Sequence, residues 1–232
     1  MKNIVVFAPH PDDEVLGCGG TIAKKLNGGD KVFIVFMTDG RYGLKEIGIK
    51  ENPDPFELKL VRKEEALKAA GLLGLKKENL FFLDIEDKTL KRHKLYALEK
   101  VVDILDDIRP AEVFFPQELE YNIDHRITNF IVKEAIRELG LDTVEYRYAI
   151  AWKFPFYLLL HFLNEHTFYK IMCTFLGREI FYVDISKYLQ IKLKALEQYA
   201  SQLKFYPNGR SEPAIKKSIL KFSLKNEEIF FV

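Results

Sequence analysis

Four short runs, NIVVFA (3–8), KVFIVFMT (31–38), NLFFLD (79–84) and EVFFP (112–116), are rich in β-branched and aromatic residues. Helix-patterned stretches separate them, and this alternation constrains the fold more than any other feature. Nearly continuous apolar runs fit strands buried on both faces. Strands that alternate with amphipathic helices close into a parallel sheet through right-handed crossovers. The expected fold is α/β: a Rossmann-like, doubly wound, mostly parallel sheet with helices on both faces and a smaller C-terminal lobe.

Local signals place the helices. Glu14 to Leu26 is helix-compatible, and the glycines of NGGD (27–30) stop it. Asp54 and Pro55 suit the N-cap and first position of the next helix. Its apolar residues Leu58, Val61, Ala66, Ala69, Leu72 and Leu73 fall mostly on one face. Leu95, Leu98, Val102 and Leu105 mark a helix from Arg92 to Ile108, closed by Pro110. A further helix is expected from Asp124 to Leu139, stopped by Gly140, and then a strand EYRYAIAW (145–152). Beyond 152 the pattern loosens. IFYVDI (180–185) is expected as a strand, Ser186 as the cap of a helix through KYLQIKLKALEQYASQL, and EIFFV as a closing strand. Residues 1–152 form the expected catalytic core, and 153–232 a C-terminal lobe of the same domain.

The chain has 232 residues, enough for one domain with a sizeable core. Its formal net charge is +1, so electrostatics give no case for a nucleic-acid partner. Only Cys18 and Cys173 are cysteines, which argues against a disulfide framework and for a reducing compartment. No signal peptide is legible, and a cytoplasmic location is expected. The most apolar run, FPFYLLLHFL (154–163), falls well short of the about 20 residues that span a bilayer. This aromatic segment, 153–178, is expected as core. A lid, an oligomer surface or an interfacial membrane contact by 154–176 are the alternatives. A homo-oligomer is the expected assembly.

The chemistry concentrates in PHPDDEVLGCGG (9–20), where the first strand meets its helix. A helix dipole favours one or two acids at such a turn. It does not account for three acids beside a histidine, and a bound cation does. His10 and Asp13 are suitable zinc ligands, and a catalytic zinc takes three protein ligands and keeps one position open. In a doubly wound sheet the first and fourth strands flank the switch-point crevice. The loop after strand four brings Asp124 and His125 there. The expected metal set is His10, Asp13 and His125, with Asp12 free beside it as a base. Two histidines and a carboxylate also suit Fe(II), which stays open. A free neighbouring carboxylate fits metal-assisted hydrolysis better than oxygen chemistry.

These segments resemble the LmbE-like, or PIG-L, family of zinc-dependent deacetylases. The resemblance rests on PHPDDEVLGCGG, TDGRYG (38–43), RKEEALKAAGLLGL (62–75), DHRIT (124–128), KLKALEQYASQ (192–202) and the closing EIF (228–230). It implies hydrolysis of the N-acetyl amide of an amino sugar, an N-acetylglucosamine-type small molecule, by water activated on zinc. It also implies His10, Asp13 and His125 as zinc ligands and Asp12 as general base. Asp124 then corresponds to the family's aspartate beside the metal-binding histidine. Arg62 corresponds to an arginine that contacts sugar hydroxyls, and Asp87 more weakly to a substrate-contacting acid. The plain alternative for Arg62 is a solvated helix face.

One position departs from the family pattern, commonly HxDH: here it is Asn122-Ile123-Asp124-His125. Asn122 can donate an amide N–H to an oxyanion but cannot carry a proton. Asp12 would then have to take the proton from water and return it to the leaving amine. The alternatives are a different amide or amidine substrate, or a metal-binding protein without turnover. Glu14 is expected to anchor backbone near the site, and Gly17, Gly19 and Gly20 to permit close helix packing. Cys18 is expected as a small buried residue, His93 as solvated, and His161 and His166 as packed or surface histidines.

Overall fold

The computed structural model describes residues 1–43, 54–151, 163, 165–203 and 214–232; the side chains of residues 165, 166 and 176 are not among them. The expectation for His161, and for residues 153–162 and 164 of the aromatic segment, therefore falls outside the described residues, as does that for the His166 side chain; in the described part Phe168, Tyr169, Met172 and Cys173 are buried together as core. The strands are β1 (Asn3–Ala8), β2 (Lys31–Thr38), β3 (Leu80–Ile85), β4 (Glu112–Pro116), β5 (Val144–Tyr148), β6 (Ile180–Asp184) and β7 (Glu227–Phe231). The helices are α1 (Asp13–Asn27), α2 (Pro55–Leu73), α3 (Lys94–Ile108), α4 (Ile123–Leu139), α5 (Glu165–Leu176), α6 (Leu189–Leu196), α7 (Ala200–Leu203) and α8 (Lys217–Ser223). No helix among the described residues is long and apolar enough to cross a membrane.

The sheet runs β3-β2-β1-β4-β5-β7-β6. β1 to β5 are parallel, whereas β7 lies antiparallel between β5 and β6. The pleat divides each central strand between two cores. Ile4, Val6 and Ala8 join α1 and α2 residues on one face. Val5 and Phe7 join α3 and α4 residues on the other. The chain therefore leaves β1 and β4 toward opposite faces, and a crevice opens at their carboxyl ends.

Close approach of α1 to the sheet depends on Gly17. A Cβ there would lie 2.6 Å from Tyr148 Cδ2. The ring cannot step aside, because its hydroxyl donates to Phe7 O at 2.7 Å. Gly17→Ala is expected to lose about 1–3 kcal/mol through overpacking. For a chain of this size that lowers the melting midpoint by about 2–4 °C per kcal/mol. An unchanged midpoint would show that α1 can move away freely.

The structure corrects several boundaries. β5 ends at Tyr148, not at 152. Ser186 does not cap a helix: its amide and hydroxyl bind Asp184 Oδ1, and α6 starts at Leu189 after Tyr188. The single helix expected through 203 is two, α6 and α7. On α2, Leu72 is 40% exposed while Arg62 is 3% exposed, the reverse of the apolar pattern. The reason is tertiary: polar partners on other segments draw Arg62 and Glu65 inward. A solvated face for Arg62 is thereby excluded.

Candidate active site

The turn after β1 is held in an uncommon backbone state. Asp12, just before α1, has φ 121° and ψ −27°. A non-glycine residue in such a conformation costs on the order of 1–3 kcal/mol and persists only where its surroundings over-determine it. Here they do. The Asp12 amide donates to Glu14 Oε2 at 3.0 Å, and the Tyr199 hydroxyl donates to the other Glu14 oxygen. Arg62 Nη2 donates to Asp12 Oδ2 at 3.0 Å and to Pro11 O, while Nη1 donates to Gly40 O at 2.9 Å. The His10 amide donates to Asp13 Oδ2 at 2.9 Å and closes the turn. His10 and Asp13 thus face one way, and Asp12 turns to Arg62.

The opposite wall comes from α4. Asn122 is its N-cap, with Oδ1 accepting from the Asp124 amide at 2.8 Å. This fixes Asp124 and His125 on the first turn, where both are buried. His125 Nε2 lies 3.1 Å from Asp13 Oδ2 and 3.3 Å from His10 Nδ1. His10 Nδ1 is itself 3.1 Å from Asp13 Oδ2. Three buried donor atoms therefore form a nearly equilateral triangle. Tetrahedral zinc with bonds of about 2.0–2.1 Å spaces its ligand atoms by about 3.3–3.4 Å, so the donor set and its dimensions fit that ion.

A second layer backs the histidines. His10 Nε2 lies 3.2 Å from Asp87 Oδ1 and 3.5 Å from Asp124 Oδ2. Asp87 Oδ2 accepts the Tyr42 amide at 3.1 Å, and Asp124 Oδ2 accepts the Lys88 amide at 2.8 Å. Loops after β2, β3 and β4 are thereby tied to one imidazole. His10, Asp87 and Asp124 form a second trio of donor atoms, which meets the first through the other nitrogen of the same ring. A carboxylate that accepts the free N–H of a metal-binding imidazole fixes its tautomer, which suits this trio.

The charges respond to burial and to one another. Burial opposes the charged form of His125, yet Asp13 and Glu120 outweigh it and raise its pKa to about 9. His10 is raised well above its ordinary value: burial works against the charge, and Asp87, Asp124 and Asp13 overcome it. Asp13 is held far below the usual carboxylate range, burial notwithstanding, by His125 and His10. Asp87 falls to about 2 because His10 and Arg62 outweigh its burial. Burial lifts Asp12 to about 7 against the pull of Arg62, and lifts Glu14 to about 8.

His10, Asp12, Asp13, Arg62, Asp87, Asn122, Asp124 and His125 all lie around this crevice. Arg62 and Asp87 face Asp12 and His10 respectively, not open space. Cys18, on α1, is buried in the apolar core and is outside the convergent sets among the described residues. Sequence reasoning missed two residues: Tyr199, which anchors Glu14, and Glu120, whose Oε2 lies 3.4 Å from His125 Nδ1. The only advance signal for Glu120 was an acid five positions before the histidine.

Two imidazoles and a carboxylate converging at the switch point of a doubly wound sheet define a candidate metal centre. The pattern of the PIG-L family, described as GlcNAc-PI de-N-acetylase, matches residues 5–136, and the chain belongs to this family of amide-hydrolysing deacetylases. It is 29% identical to diacetylchitobiose deacetylase of Thermococcus kodakarensis, over 87% of this chain and 70% of that protein. It is 28% identical to a probable N-acetyl-alpha-D-glucosaminyl L-malate deacetylase 2 of Bacillus anthracis, over 87% and 83%. Among solved structures it resembles N,N'-diacetylchitobiose deacetylase of Pyrococcus horikoshii, with TM-score 0.65 and 26% identity over 89% of this chain and 72% of that one.

Proposed function

We propose that this protein is a zinc-dependent deacetylase that hydrolyses the N-acetyl amide of an N-acetylglucosamine-type sugar. The observation that carries the proposal is the convergence of His10 Nδ1, Asp13 Oδ2 and His125 Nε2 within 3.3 Å, beside the strained Asp12. The named activities of the relatives support the same substrate class. When bound by His10, Asp13 and His125, zinc supplies Lewis acidity, which makes a water more acidic and polarises the acyl oxygen.

The chain's own groups do the rest. Asp12 takes a proton from the attacking water as oxygen bonds to the acyl carbon, and returns it to nitrogen as the C–N bond breaks. Acetate and the free amine leave. A base poised near neutrality is suited to both transfers; burial raises Asp12 toward that range, while Arg62, and any cation held beside it, pull it back. Arg62 aims the Asp12 carboxylate. Asp87 and Asp124 hold His10 in the tautomer that presents Nδ1.

Asn122 spends its oxygen on the α4 cap, which leaves its amide N–H groups to meet the developing oxyanion. The two tasks are separable. Asn122→Ser keeps a capping oxygen and should melt near the wild-type midpoint, with kcat reduced by up to about 10²-fold. Asn122→Ala should lose about 1 kcal/mol of stability in addition. A serine variant with wild-type kcat would reduce Asn122 to a cap.

Turnover of a panel of N-acetylated amino sugars, including diacetylchitobiose, by zinc-loaded protein tests the function. Release of acetate and free amine, abolished together with bound zinc in His125→Ala, is expected. Zinc-loaded protein inert across the panel would favour another amide or a binding role.

A further inference from the structure

We infer that Glu120 is a positioning residue for the metal centre, holding His125 in the tautomer that presents Nε2 to the ion. The inference rests on the metal-centre assignment above and extends it. Glu120 is fully buried at 0% exposure, in the loop between β4 and α4. Its carboxylate is aimed by backbone: Ile150 N donates to Oε1 at 2.6 Å and Ala151 N to Oε2 at 2.9 Å. Gln117 N donates to Tyr148 O at 2.8 Å and Tyr121 N to Ala151 O at 2.7 Å, so the loop before α4 is pinned to the end of β5 and the segment after it on both sides of Glu120.

Oε2 then lies 3.4 Å from His125 Nδ1. That nitrogen is buried and has no hydrogen-bond partner within normal geometry. A neutral imidazole that gives Nε2 to a cation must carry its proton on Nδ1. A buried N–H without an acceptor is costly, and Glu120 Oε2 is the carboxylate oxygen placed to receive it. His10 has Asp87 and Asp124 for the same task, so each imidazole carries its own carboxylate. The two supports come from different loops: β3–α3 and α4 hold His10, and the β4–α4 loop holds His125.

The test is Glu120→Gln, which keeps size and a carbonyl oxygen but removes the charge. Cobalt(II) affinity is measured by chelator competition, and the His125 Nδ1–H is followed by ¹H–¹⁵N spectroscopy of the zinc-loaded protein. Wild type should show a slowly exchanging, downfield Nδ1–H. In Glu120→Gln that signal should move upfield or vanish, and the dissociation constant should rise about 10–100-fold. The metal-free melting midpoint separates this effect from general loosening. A second variant, Glu120→Asp, keeps the charge and should recover part of the affinity. If Glu120→Gln binds cobalt within twofold of wild type, the positioning role is wrong and the metal centre stands. A wild-type protein that takes up no cobalt overturns the metal centre itself, and this role with it.

Discussion

Asp12→Asn will keep its metal and lose turnover by about 10²–10⁴-fold, the usual contribution of a positioned base. The substitution is nearly isosteric, and asparagine tolerates positive φ better than most residues. Arg62 can still donate to the amide oxygen that replaces Asp12 Oδ2, so the turn keeps its shape. The ligand trio does not include Asp12, so zinc per chain should match wild type. What disappears is the proton acceptor, and kcat should fall much more than KM rises. Two results would reverse the roles assigned to this turn: activity within tenfold of wild type, or loss of zinc with activity restored by added metal.

Lys192→Met should produce a large loss of stability. Lys192 is fully buried on α6, and its Nζ lies 2.7 Å from Glu228 Oε1 on β7 and 3.1 Å from Leu16 O in α1. Glu228 also accepts from the Gly20 and Thr21 amides at 2.9 and 2.8 Å. In an unbroken helix those amides pair with the carbonyls of Leu16 and Gly17. The ion pair thus engages the middle of α1, the helix whose first turn carries Asp13. Removing one partner of a buried pair leaves the other charge uncompensated, which costs about 3–5 kcal/mol. Denaturant unfolding of Lys192→Met should show a loss of that size. Adding Glu228→Gln should restore part of it, since glutamine can still accept from α1 without a net charge. A loss below about 1 kcal/mol, or no recovery in the double variant, would mean that water or another cation compensates Glu228.

Much of the fold was legible because its central strands are simple. β1, β2 and β4 occur where their apolar runs begin and end, since a strand buried on both faces must be apolar throughout. The order around the switch point is the usual one for a doubly wound sheet, with β1 beside β4, and this brings His10, Asp13 and His125 together. The edge of the sheet was harder. β7 inserts antiparallel between β5 and β6, and no local pattern encodes which edge a late strand will join. The helix expected through 203 divides into α6 and α7 around Tyr199, whose fully buried side chain reaches Glu14.

The sequence by itself determined the α/β class, the strands that bring the two histidines together, and the donor types that suit a metal. These follow from local periodicity and from the rarity of acids packed beside a histidine. Only the tertiary structure decided what KLKALEQYASQ and the closing EIF are for. Lys192 meets Glu228, Tyr199 meets Glu14, and Ser201 meets Glu65 through both its amide and hydroxyl. Each pairing joins residues far apart along the chain, and each buries a polar group that is stable there only with its partner. A sequence displays the type of such a residue but not the partner that makes its burial tolerable. The same holds for Arg62, which belongs to a helix face by periodicity but to Asp12 by contact.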